Sequence, residues 1–258
     1  MGLSQYGCCP DCGAGGDGRE DISLAPTEEG NQWEDDDEEE EEEEHYETGP
    51  IHFAASNCNV EALRNELTRG VSANRADDFG QTPLHWLNQS SEENCARGGA
   101  ECLEALLAAG ADINATCDAY TPLSEAACRV HPSLQLFLNA GADVNFRNRQ
   151  LYGSCTALEM VIDTTSLNPW DRDSRRHVYP TLLRAGSELP RAQFMEAMRQ
   201  RPNFNEPYIE KVIAAGSLAN YEHLHLTKLT SMFQPKFPFL PKEVIQRVVE
   251  FWSHAGDY

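Results

Sequence analysis

Five short apolar stretches along the chain each run into a glycine: Glu61–Gly70, Glu101–Gly110, Ser133–Gly141, Pro180–Gly186 and Tyr208–Gly216. Within them Leu103, Leu106 and Leu107, or Leu134, Phe137 and Leu138, recur at helical spacing, which predicts helices with one buried face. A glycine at the end of each suits a chain that leaves a helix through a left-handed residue. A second element alternates with the first. It reads Asp78-Phe79-Gly80-Gln81-Thr82-Pro83-Leu84-His85-Trp86-Leu87, with further copies at Gly49–Ala55, Tyr120–Ala127 and, more weakly, Cys155–Met160. Thr82 and Thr121 suit helix N-caps, and Pro83 and Pro122 suit the first turn, where a missing N–H costs nothing. The pattern predicts paired short helices, each pair too small to bury its own apolar face and therefore stabilised by stacking on its neighbours.

The spacing carries further information. His52 and His85 lie 33 residues apart, and four residues after the glycines stand Asn74, Asn114, Asn145, Pro190 and Asn220, with only Pro190 departing. Successive terminal glycines are separated by 40, 31, 45 and 30 residues. The extra length falls at Gln89–Gly99, between the two helices of the second unit, and around Leu151–Asp173; both read as loop growth or as binding loops.

Gly80-Gln81-Thr82-Pro83-Leu84-His85, Gly110-Ala111-Asp112-Ile113-Asn114 and Gly141-Ala142-Asp143-Val144-Asn145 resemble the two halves of the ankyrin repeat. The resemblance covers residues 50–189 well and 190–220 poorly. It implies an all-α solenoid of stacked helix-turn-helix units with short hairpin loops, four clear repeats and one degenerate one over 50–220. It also implies that the motif histidine bonds the threonine of its own motif, and that partners bind on a concave face of first helices and hairpins. The residues between repeats would then meet the partner. Aromatic and arginine side chains there are the natural anchors, which selects Arg75, Asp77, Phe79, Tyr120, Phe146, Arg147, Arg149 and Tyr152, with Trp86 readable as a groove residue or as core.

Residues 221–258 read as C-terminal helices. Val244, Ile245, Val248, Val249 and Trp252 form an apolar stripe that would cover the open end of the stack. Leu240-Pro241-Lys242-Glu243-Val244-Ile245 also resembles the opening of an F-box, although only 18 residues follow Leu240. That resemblance implies an alternative role as substrate adaptor of a cullin-type ubiquitin ligase.

Charge changes the picture at the other end. The net charge is −22 over 258 residues, yet residues 1–50 hold eighteen acids and a single base, leaving −5 on the rest. The unbroken acidic run Glu34–Glu44 buries nothing, so residues 1–49 are expected to be a disordered Gly/Cys-rich and acidic tail. An acidic chain repels phosphates, which argues against a nucleic-acid partner. No apolar run long enough for a membrane span and no signal-peptide pattern is present. An intracellular protein, cytoplasmic or nuclear, with mostly reduced cysteines is expected.

Candidate chemistry adds little. Gly13, Gly15 and Gly18 form a glycine motif without a flanking strand and helix. Cys9 and Cys12 form one C-x-x-C without a second ligand pair, so neither a metal nor a cofactor is expected. N-terminal acylation at Gly2, Cys8 or Cys9 is opposed by Tyr6, which stands where a hydroxyl residue belongs. With no nucleophile paired to a base, the expected function is a non-catalytic, monomeric module that binds a protein partner.

Overall fold

The computed structural model describes residues 48–117, 120–147, 155–167, 175 and 177–255, the side chains of 165–167 and 250–255 excepted. Nearly all of the expected N-terminal tail, together with Arg149 and Tyr152, lies outside the described residues, as does the side chain of Trp252. The described residues all belong to one unit, Tyr46–Tyr258.

That unit is built from pairs of short helices. The first pair is α1 (Pro50–Ser56) and α2 (Val60–Thr68). The second is α3 (Pro83–Trp86) with α4 (Glu92–Asn94) and α5 (Ala100–Ala108). Next come α6 (Pro122–Arg129) with α7 (Ser133–Asn139), then α8 (Ala157–Leu167) with α9 (Val178–Arg184). A fifth pair, α10 (Ala192–Arg199) and α11 (Pro207–Ala215), leads into α12 (Leu218–Phe233) and α13 (Lys242–Ala255). The first helices stack in the order α1, α3, α6, α8, while α2 packs on α5 behind them. Among the described residues the only β pairing is the isolated bridge between Cys117 and Tyr120.

Ile51, Leu63, Leu84, Leu106, Leu123, Phe137, Leu158, Leu182 and Ile209 are all fully or almost fully buried and join one core along the stack. Burying each such side chain contributes roughly 1.5–3 kcal/mol, and none of it is available to a single pair. Towards the C-terminal end the core turns aromatic. Buried Tyr179 stacks on Tyr208 at 6.4 Å between ring centroids, and Tyr208 meets Tyr221 edge-on at 5.4 Å, which ties α9 to α11 and α12.

Three expectations need correction. The extra residues at Gln89–Gly99 are not a loop. They form a 3₁₀ turn, Leu87–Gln89, then α4, capped by the Ser91 hydroxyl accepting from Asn94 N–H at 3.2 Å, then a π-helical turn, Cys95–Gly99, that runs straight into α5. The π turn absorbs the insertion without breaking the helix. It also lies against α1–α2, since a Cβ on Gly98 would fall 2.5 Å from the carbonyl oxygen of Cys58. The insertion around Leu151–Asp173 is described only in part, and that part is the helix α8.

Second, Asn220 does not continue the asparagine series. It sits in the first turn of α12, where its N–H donates to the Ser217 hydroxyl at 3.1 Å, because α12 starts directly after Gly216 and leaves no hairpin between them. Third, the C-terminal stripe divides. Ile245 and Val249 are buried, at 3% and 4% exposure, while α13 packs on α12, whereas Val244 and Val248 face solvent.

Candidate protein-binding surface

Successive units are joined by a ladder that begins at asparagine. Gly110, with φ of +87°, turns the chain out of α5 into a conformation that side chains resist. Asn74, from the unit before, then donates from Nδ2 to the Gly110 carbonyl at 2.9 Å and accepts the Asp112 N–H on Oδ1 at 2.7 Å. Asn114 accepts from Asp143 N–H at 2.9 Å. Asn145 donates to the Gly186 carbonyl at 3.0 Å and accepts from Glu188 N–H at 2.8 Å. The series stops at Pro190, whose ring has no group to extend it.

A second column of contacts runs through the residue three places into each first helix. His52 accepts the Gly49 N–H on Nδ1 at 3.2 Å and donates from Nε2 to the Arg75 carbonyl at 2.9 Å, which assigns the Nε2–H form to a fully buried ring. His85 repeats this with the Thr82 N–H (3.2 Å), the Thr82 hydroxyl (3.0 Å) and the Tyr120 carbonyl (3.4 Å). Burial drives its pKa down to about 4, against the pull of the Tyr120 carbonyl and the Asp77 charge. Ser124 holds only the local half, accepting the Thr121 N–H at 2.8 Å. In the fourth unit the position belongs to Glu159, which is fully buried. Its Oε2 accepts the Thr156 N–H at 3.2 Å, and its Oε1 accepts both the N–H and the Nε of Arg191 at 3.0 Å.

The first hairpin is organised by a carboxylate. Asp77, 2% exposed, accepts on Oδ1 from the backbone N–H groups of Phe79 (2.9 Å) and Gln81 (2.8 Å), and on Oδ2 from the Trp86 indole at 2.7 Å. One side chain thus fixes the turn and the indole together. Phe79 stands 75% exposed on that turn. Trp86 is half-buried, edge-on to Phe53 at 5.4 Å and 5.7 Å from His52 between ring centroids. Phe53 is itself 53% exposed. Counted from each helix start, Phe53, Trp86, Glu125 and Met160 occupy one position. The aromatic strip ends at Glu125, which is buried, held by Asn88 Nδ2 (3.2 Å) and Arg129 Nε (3.1 Å), and pushed up in pKa by that burial.

Residues 51–148 match the family model of ankyrin repeats, in three copies. These residues are ankyrin repeats. Ankyrin repeats are modules of protein–protein interaction, and the aromatic cluster lies within the matched stretch.

The expected contact residues of this ankyrin array fall into distinct groups. Arg75 and Phe79 are exposed on the first hairpin, and Trp86 lies beside them at the foot of the same turn. Asp77 is instead buried beneath them and shapes the turn rather than facing outward. Tyr120 and Phe146 are half-buried in the next two connections. Arg147 is engaged internally, 3.2 Å from buried Glu159 and 3.1 Å from Glu188, so truncating it would disturb the fold. Arg149 and Tyr152 lie outside the described residues. Sequence reasoning missed Phe53. The signal was in the alignment of copies, since His52-Phe53 stands where His85-Trp86 stands one repeat later.

Other chemistry is quiet. Cys58, Cys95 and Cys102 are buried near one another; burial pushes all three thiols up, Cys102 to about 12, which removes the reactive thiolate at neutral pH. Among the described residues no group of three His, Cys, Asp or Glu side chains is placed to hold a metal ion, and no helix is long and apolar enough to cross a membrane.

Proposed function

We propose that this protein is a non-catalytic adaptor that holds a partner protein on the concave face of its first helices and hairpins, anchored by Phe53, Phe79 and Trp86, with Arg75, Tyr120 and Phe146 along the same edge. The observation that carries this reading is Phe79. A large aromatic side chain left 75% exposed on a turn whose backbone is already fixed by a buried carboxylate is presented for contact with no loop to order. A photo-crosslinking phenylalanine analogue at position 79 should yield adducts with a partner in cell extract. The same analogue at Arg69, exposed at the end of α2, should yield none. Equal labelling at both positions would remove the reading.

A second reading assigns the C-terminal end to a cullin-type ubiquitin ligase. Val244 and Val248, one turn apart on α13, are 42% and 48% exposed, a free apolar edge beside the buried one, and Leu240 just before the helix is 44% exposed. Val244→Asp with Val248→Asp should then abolish recovery of a cullin complex while leaving partner crosslinking at position 79 intact. Recovery unaffected by the two charges would dismiss it.

A further inference from the structure

We propose that the partner segment seated on Phe53, Phe79 and Trp86 is a cationic peptide, with arginine side chains laid over the aromatic faces. The proposal rests on the binding face proposed above and specifies what that face recognises.

Three observations converge on it. The surface is aromatic, with Phe53 and Phe79 both more than half exposed and the Trp86 indole held in place by Asp77. Aromatic faces carry negative potential and attract cations, and a planar guanidinium stacks on them better than an ammonium does. The surrounding repeats are acidic. Residues 50–117 contain nine carboxylates against four arginines and no lysine. Two of those arginines, Arg69 and Arg97, are paired with Glu66 and Glu93 on their own helices, while Arg75 stands exposed on the hairpin of Phe79. Asp78, exposed and without a partner among the described residues, is adjacent to Phe79 in the turn and supplies a carboxylate beside the ring. His85 does not offset this charge, because burial keeps it neutral.

An acidic or purely apolar segment fits less well. The chain carries −22 in total, so an acidic segment is repelled on approach and a basic one is drawn in, with a rate that falls as salt rises. The exposed rings, Phe53 and Phe79, are too few to cover a long apolar helix. A short basic stretch meets both the rings and the charge.

The test is a selection of random twelve-residue peptides displayed on phage, carried out on the full chain and on two variants. One variant is Phe53→Ala with Phe79→Ala; the other has every acid of Glu34–Glu44 replaced by Ser or Gln. The wild-type chain should enrich arginine-rich, net-positive peptides. Their affinity should fall at least fivefold in the aromatic variant, measured at a temperature where its thermal unfolding curve shows it fully folded. The second variant should bind the same peptides with weaker salt dependence and retain the aromatic requirement. Basic peptides that bind equally well without Phe53 and Phe79 would overturn the proposal, as would no enrichment. Enrichment of acidic or apolar peptides that do require Phe79 would overturn the cationic assignment and leave the binding face standing.

Discussion

Glu159 and Arg191 are bonded twice over: the buried carboxylate oxygen Oε1 takes both the backbone N–H and the guanidinium Nε of Arg191, each at 3.0 Å. The contact occupies the place where His52 and His85 reach a carbonyl of the following hairpin. The chemistry is inverted. A neutral imidazole offers one donor and one acceptor, which suits an N–H on one side and a carbonyl on the other. Here both sides present donors, Thr156 N–H and Arg191 N–H, so only a group accepting at both ends fits. Burial raises the Glu159 pKa, but the hydrogen bonds from Arg191 and Thr156 outweigh it and hold the carboxyl below its usual range.

Restoring the histidine of the earlier copies should therefore harm the fold. Glu159→His and Glu159→Gln each leave one donor facing a donor and two arginines without their carboxylate. A loss on the order of 3 kcal/mol is expected, read as a lower midpoint in urea unfolding. A Glu159→His variant as stable as wild type would contradict the inverted column.

Acid should weaken the stack through His85. Its folded pKa, about 4, lies below the ordinary histidine value of 6.5, so the unfolded chain binds the extra proton between those values and stability falls as pH drops from 6.5 towards 4. The contribution lost between pH 7 and pH 5 is about 2 kcal/mol. Urea unfolding at both pH values should show the difference between wild type and His85→Gln shrinking by that amount. Glu159 acts at lower pH: its folded pKa is depressed, so its contribution is present above the ordinary carboxylate range and lost beneath it.

The close approach at Gly98 gives a steric test. A Cβ there would lie 2.5 Å from the Cys58 carbonyl oxygen, a backbone atom that cannot swing aside. Gly98→Ala should cost about 1–3 kcal/mol. Gly99→Ala should cost less, because its nearest neighbours, Cys95 Sγ at 3.0 Å and Leu136 Cδ1 at 3.2 Å, are side-chain atoms able to shift. The order of the two urea midpoints checks this.

The C-terminal helix offers a paired comparison. Ile245→Ala removes a side chain that is 3% exposed and should cost about 2–5 kcal/mol. Val244→Ala, one residue earlier and 42% exposed, should leave the melting temperature nearly unchanged. Equal effects would mean that α13 does not close the stack through this face.

Much of this was legible in the sequence, and the reasons are local. The terminal glycines and apolar spacing placed α2, α5, α7, α9 and α11 to within a few residues, because left-handed helix exits and buried faces are written in residue type. The helix α10 was not placed. Its start, Pro190-Arg191-Ala192, lacks the threonine and histidine of the other units, and its buried Met195 and Met198 carry no motif. The helical form of Gln89–Gly99 was hidden because two adjacent glycines read as loop, whereas here they permit close packing against Cys58 and Leu136. Asp77 was chosen as a contact residue for its position between repeats. Three converging N–H groups, invisible in one dimension, turned it inward instead.

The central claim, that Phe53 and Phe79 hold the partner, is tested most directly by quantitative affinity purification of the full chain against Phe53→Ala with Phe79→Ala, at a temperature where both are folded. The account predicts that proteins recovered with wild type drop at least fivefold with the variant while the variant remains folded at the assay temperature. Undiminished recovery by a folded variant would contradict it.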